Sequence, residues 1–563
     1  MRTLSTAAQH RSIFSSSLKN YRQSNLRASC LLRSSSNSHN YAKLTFGSRI
    51  QSTNLHINFP SFPFPPINLD FLKLHFRYTA PISAVKRAKR EEIYGNLVAL
   101  TNQNPKSTIA KIARENAIKA TQKKVLEIAS DCRTQKIKYT DQAFDLAANP
   151  PHALYKAGDK KADGEKVEYS SIKRIREILP DRQFFINGEE HGDVKQGFIG
   201  DCWFLAAMAA AADVPGLIES ICVARDEEVG VYGFVFYKDG EWISTIIDDQ
   251  VFLNKHGELL FSKCKDKNET WVPLLEKAYA KANGDYESID GGWPGEALED
   301  LSGGISTSYW SHLIEDKDKF WSELRRPNTD VLFGCAHFPQ RSDKALGLVG
   351  GHAYSVIRAV NLENFRLLEI RNPWGQFEWK GRWKDHGAEW KPEYLKILNY
   401  SFEDDGSFFM EYDDFLKHFQ AVDECEFYRD QWRVYSHWIK WTDKAENNPK
   451  FTVELKDPEN ELKIVLQQPD PRYSGKNYNK IGFNLKFNLI DTKTKMAISS
   501  PQEYYWKRAT NLSITLPAGI YQIIPDPTKV RNMEWNKEPT KDDFDTLFGL
   551  RIYTGNNINL GVN

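Results

Sequence analysis

The chain has 563 residues, 41% hydrophobic and 13% aromatic, with a formal charge of +1. That length exceeds what one hydrophobic core serves, so roughly three or four structural units are expected, and so small a net charge offers no global attraction for nucleic acid. No stretch reaches the ~18 uncharged apolar residues of a membrane-spanning helix. Seven scattered cysteines without a C-x-x-C pair argue against a disulfide framework or zinc ribbon and suit a reducing, intracellular compartment.

Residues 1–69 contain no acidic residue but carry Arg2, Arg11, Arg22, Arg27, Arg33 and Arg49 among many serines. This is the composition of a transit segment; a disordered tail or upstream sequence joined to the reading frame accounts for it nearly as well. The expected location is cytoplasmic, with a mitochondrion or another organelle as the alternative. Pro60–Pro66 reads as a linker. Residues 70–138 form a helical N-terminal region: Ile109, Ile112, Ile118, Val125 and Ile128 recur at helical spacing and predict one or two amphipathic helices. Their basic faces offer a surface for peripheral membrane contact, although such charge runs more often only solvate a helix.

From 139 to 430 helical and strand patterns alternate. Gln196-Gly-Phe-Ile-Gly-Asp-Cys-Trp-Phe-Leu-Ala-Ala breaks the backbone at two glycines before a strong helix-forming run, which puts Cys202 in the first turn of a mostly buried helix. There the helix dipole and free N–H groups favour thiolate over thiol. The Gln196 amide and the Cys202 backbone N–H are candidate oxyanion donors. On this motif alone a nucleophile and a core cysteine weigh about equally, because buried thiols are common.

His352 follows Gly350-Gly351 and opens a strand that turns at Asn361–Asn364 into Phe365–Arg371. A hairpin centred between 362 and 363 sets His352 opposite position 373, within one residue of Asn372. Asn372 can then orient the imidazole toward Cys202, with Trp374 and Trp379 shielding the pair from water. The plainer alternative is a satisfied strand-edge histidine. Cys335-Ala-His337 is a rival pair, yet it lies on a strand with no helix N-terminus to acidify the thiol. After 431, short alternating runs separated by Pro, Asn, Asp and Gly turns suggest an antiparallel β-sandwich to residue 563, and no EF-hand loop follows.

The Gln196–Ala207 run, Leu275–Gly284, Gly351-His-Ala-Tyr-Ser-Val356 and Arg371-Asn-Pro-Trp-Gly375 together resemble the calpain protease core, in the expected order. The resemblance implies an α+β protein. A two-lobed papain-like core, with lobe one running to about 294 and lobe two from about 295, is preceded by the helical segment and followed by a calpain-type β-sandwich. It implies a calcium-dependent cysteine endopeptidase that performs limited proteolysis of intracellular proteins through Cys202, His352 and Asn372, aided by Gln196. Gly292 and Gly351 match glycines that bind substrate backbone, and Trp374 matches a tryptophan that obstructs the cleft before Ca2+ brings the lobes together. For the calcium ions, the match implies Asp193 and Glu269 with the carbonyls of Ile186 and Gly188 in lobe one. In lobe two it implies Glu378, Asp385 and Asp405 with the carbonyl of Glu403. Ser407 stands where typical calpains carry a further acid, which weakens that second site and raises the calcium requirement. The likeness is to atypical calpains, so pairing with an EF-hand small subunit is not expected. The competing readings are a non-catalytic calcium-dependent adaptor and a constitutively active papain-like enzyme.

Overall fold

The computed structural model describes residues 84–154, 168–338, 345–428, 430–442, 448–470, 472, 481–501, 507–531 and 546–562. The basic segment 1–69 lies outside them. Helices Ala84–Thr101 and Ala110–Gln135 open the described chain. Helical spacing hid the piece between them: Lys106–Ile109 is a strand that pairs antiparallel with Arg433–Ser436. Ile109 therefore belongs to a sheet rather than to a helix face, and Ile112 is exposed. The second helix lays Val125, Ala129 and Cys132 on Val229, Val231 and Ile246. Gly233 lets it approach, since a Cβ there would fall 2.6 Å from Val125 and 2.8 Å from Thr121.

One core surrounds Cys202–Ala212, all eleven residues of which are buried. Helices Trp271–Asn283 and Pro294–Ser302 and a three-stranded antiparallel sheet, Cys222–Asp226, Val231–Lys238 and Glu241–Asp248, enclose it. Phe204 stacks on Tyr279 with ring centroids 3.9 Å apart. The second core rests on a six-stranded antiparallel sheet. Its spatial order is Ser407–Glu411, Phe365–Arg371, His352–Leu362, Val331–His337, Ala421–Glu426, Ile305–Trp310. Leu332, Ala353 and Cys425 of that sheet reach into the first core, so the apolar helix is covered from both sides.

The expected hairpin forms with a different register. Leu362 pairs with Phe365 across Glu363-Asn364, and the register shifts between Glu369 and Ile370 so that Arg371 opposes Ser355. A turn one residue later than expected is thus partly offset by a bulge, which re-aims the strand beyond it.

Among the described residues two five-stranded antiparallel sheets surround one shared core, and the C-terminal region supplies every strand but Lys106–Ile109. Arg433–Trp441, a strand that alternation did not reveal, has both faces covered: Tyr435 and Ile439 point into the shared core while Val434 and Trp438 pack outward. A strand buried on both sides loses the period of two. Ile481–Asn484 pairs with Thr528–Arg531, and Phe487–Asp491 with Gly519–Pro525. Gly233→Val should push the Ala110–Gln135 helix off its sheet, lowering stability by about 1–3 kcal/mol. Faster reaction of the buried Cys132 with a thiol reagent reports the loosening; unchanged protection would refute this packing role.

Candidate active site

Cys202 is the first residue of its helix and is itself buried. It faces the start of the His352 strand, where its sulfur meets the Ala353 N–H. The Ser355 hydroxyl donates to the Ala206 carbonyl at 2.7 Å, tying the same strand to the same helix. Asn372 is held from four directions. Its Nδ2 donates to the carbonyls of Gln376 (2.7 Å) and Phe377 (3.2 Å), which leaves Oδ1 as the acceptor. Oδ1 then accepts from Trp374 N–H at 3.0 Å and from His352 Nε2 at 2.8 Å. The imidazole proton therefore sits on Nε2, and Nδ1 is the basic nitrogen.

Burial dominates the electrostatics. It pushes the Cys202 thiol up to about 12, outweighing the Ala353 and Trp203 N–H groups that favour thiolate. It holds His352 down to about 4, against the opposing hydrogen bond that the ring donates to Asn372. Burial thus opposes the ion at both residues, and at Cys202 it works against the thiolate that the helix dipole favours. Cys222 is pushed just as far, so the place of Cys202 at a helix start against the His352 strand, and not acidity, distinguishes it. All six cysteines among the described residues are buried free thiols.

Other expected residues fall in varied places. Trp374, 37% exposed, lies over His352 with ring centroids 4.8 Å apart. Trp379 instead packs on His418 and donates to the Arg382 carbonyl, so it shields neither member of the pair. The Gln196 amide is turned onto its own loop, donating to the Ile199 carbonyl at 2.8 Å, while its Oε1 is buried without a partner. Gly351 has φ +63°, a backbone state suited to glycine. A Cβ on Gly292 would lie 2.5 Å from the Trp203 ring. The rival Cys335 is fully enclosed, and His337 binds the His418 carbonyl at 2.6 Å.

Among the described residues, no three carboxylate, thiol or imidazole side chains converge closely enough to hold a metal ion. The acids named for the first lobe are nonetheless neighbours: burial, with the charges of Asp193 and Asp266, raises Glu269 to about 7. Glu269 accepts from the Ile186 N–H at 2.7 Å, and Asp193 from the Glu190 N–H at 2.9 Å. Gly188 turns the chain there with φ +98°. In the second lobe burial, with Asp385, Asp404 and Asp405, raises Glu378 to about 7. Asp385 accepts from Tyr400 at 2.8 Å and Asp405 from the Ser407 N–H at 2.9 Å. The Ser407 hydroxyl is buried without a partner. The Glu403 side chain points outward to Lys265 at 3.1 Å.

Two features escaped the sequence reading. Fully buried Arg371 bridges the halves, donating to the carbonyls of Gly192 (3.1 Å) and Val194 (2.8 Å), with Asp405, Asp213 and Asp193 as its opposing charges. Asp201, just before the nucleophile, and Glu276 are both buried carboxyls, and burial raises the proton affinity of each. Ser262 N–H donates to both Glu276 oxygens, at 3.2 and 3.0 Å. Nothing in the local pattern distinguishes these acids from surface ones.

A buried cysteine at a helix start, facing a strand whose first residue is a histidine held by an asparagine, is an arrangement shared with papain-like cysteine peptidases. Residues 139–426 match the calpain family cysteine protease domain, and the chain belongs to that family. It is 31% identical to a calpain of Schistosoma mansoni over 64% of this chain and 55% of that protein. It is 30% identical to Calpain-A of Drosophila melanogaster over 62% of this chain and 50% of that one, and 29% identical to mouse Calpain-5 over 70% and 71%. The chain thus spans about half the length of the first two relatives.

The unfolded chain binds a proton at His352 near 6.5 that the folded chain resists until about 4, so this contribution to stability is complete above 6.5 and is lost as pH falls toward 4. The urea midpoint should decline across that window more steeply in the wild type than in His352→Gln. Equal slopes would mean that the imidazole is not desolvated.

Proposed function

We propose that the protein is a calcium-dependent cysteine endopeptidase that cleaves proteins at a limited number of sites. The observation that supports this reading is the four-bonded Asn372, which sets the tautomer of His352 at the head of the strand whose Ala353 N–H meets the Cys202 sulfur. Approach of a peptide carbonyl turns the neutral pair into thiolate and imidazolium as the proton moves from sulfur to Nδ1. The thiolate adds to the carbonyl carbon, and the Cys202 N–H holds the oxyanion with Gln196 once its amide rotates off Ile199. Imidazolium then protonates the departing amine, and water, deprotonated by His352, hydrolyses the thioester.

The two acidic groups fit calcium by donor chemistry, being hard oxygens whose mutual repulsion and burial raise their proton affinity. Bound calcium would supply the positive charge that offsets this repulsion. Asp193 and Glu269, and Glu378, Asp385 and Asp405, are the side chains that would hold it, with the carbonyls of Ile186, Gly188 and Glu403. Arg371, whose guanidinium faces acids of both groups, would sense the change. We read the C-terminal sheets as the calpain-type β-sandwich.

The full chain should cleave casein in millimolar calcium and not in chelator, and Cys202→Ala should reduce cleavage to background. Activity equal in both conditions would favour a constitutive papain-like enzyme, and none in either the adaptor. If Ser407 limits the second site, Ser407→Glu should lower the calcium concentration for half-maximal activity by about threefold or more, through added site charge. An unchanged midpoint would remove that position from the calcium response.

A further inference from the structure

We propose that Arg472, from the C-terminal region, is a positioning residue for the cleft: it clamps Trp203, the neighbour of Cys202, and through that ring the Gly291-Gly292 wall. The inference rests on the cysteine-protease reading and goes beyond it by making the C-terminal region part of what shapes the cleft.

The Arg472 guanidinium lies 4.2 Å over the centre of the Trp203 ring. Trp203 is buried, and its Nε1–H donates to the Ile289 carbonyl at 2.9 Å. The turn that follows is laced to the approach to the nucleophile: Gly291 N–H donates to the Gly200 carbonyl at 2.9 Å, and Gly200 N–H donates to Asp290 Oδ1 at 3.0 Å. A Cβ at Gly292 would lie 2.5 Å from the Trp203 ring and 2.7 Å from Arg472 Nη2. The candidate substrate glycine, the indole and the guanidinium therefore share one contact, with no room for a methyl group.

Arg472 is itself anchored. Nη2 donates to Glu296 Oε2 at 2.8 Å on the helix Pro294–Ser302, and Nη1 to both Asp470 oxygens at 3.2 Å. Asp470 also accepts from Lys238 of the protease core at 2.5 Å and from Arg508 at 3.0 Å. Arg508 pairs in turn with Glu299 and Asp300, each at 2.7 Å. Carboxylates on a core helix and cations from the C-terminal region thus hold one another out of water, where each needs its partners. An ammonium could answer the same carboxylates, but only a planar guanidinium can make those bonds while lying flat on an indole. The stack fixes the tilt of Trp203, hence the height of the Gly292 backbone beside Cys202.

The test uses the full chain with competent sites counted by an irreversible thiol-directed epoxide. Arg472→Lys keeps the charge and should leave the thermal midpoint near that of the wild type, while kcat/KM per competent site falls about tenfold, as expected for loss of a desolvated stack that shapes the transition-state site. Trp203→Phe, which weakens the same stack, should produce a similar loss, and the double variant should be no worse than the poorer single one. A purely structural arginine would lower the number of competent sites without changing kcat/KM at each. That result, or additive losses in the double variant, overturns the inference. A wild-type chain that neither cleaves casein nor takes the label overturns the protease reading and this inference with it.

Discussion

A helix without a polar face has to be enclosed on every side. Cys202–Ala212 is such a helix, and Trp203, Phe204, Leu205 and Met208 on it are each essentially buried. Each of these large side chains contributes about 1.5–3 kcal/mol when removed from water. The enclosure takes helices and a small sheet on one side and the six-stranded sheet on the other, through Leu332, Ala353 and Cys425. Bringing Ala353 against the helix brings His352 to its first residue. Hydrophobic burial of an alanine-rich helix therefore sets the Cys202 sulfur against the start of the His352 strand.

The same burial governs the charges. Burial disfavours the ion at both Cys202 and His352, against the helix dipole at one and the hydrogen bond to Asn372 at the other. What the protein fixes is orientation: the Asn372 amide cannot turn without breaking bonds to two carbonyls and an N–H, so its Oδ1 is a fixed acceptor for His352 Nε2. Arg371, next in the chain, carries a buried charge across the junction and binds carbonyls 192 and 194 from the opposite half.

A second charged layer lies behind the first helix. Lys238, Asp300, Asp470 and Arg508 are all buried, and their short pairs join the protease core to the C-terminal sheets. Such groups tolerate a single arrangement, since shifting one partner strands another in a medium that cannot solvate it. The junction is thus set by directional contacts, whereas the helix contacts within each core are set by area.

The sequence by itself determined what depends on near neighbours. Two glycines ahead of a helix-forming run put Cys202 at a helix start, and turn residues between two apolar strands bring His352 toward Asn372, because both are local consequences of backbone chemistry. The alternating runs near 451, 462 and 521 become strands for the same reason, each with one face on the shared core. Only the tertiary structure decided the rest. It set the hairpin register, shifted by a bulge that no pattern announces. It showed Arg433–Trp441 as a strand, hidden in sequence because both its faces are covered. It set burial against the helix-dipole argument at Cys202, since desolvation depends on everything packed around the sulfur. And it set Arg472 over Trp203, residues far apart in the chain, because a buried cation is placed by the carboxylates and the ring that receive it.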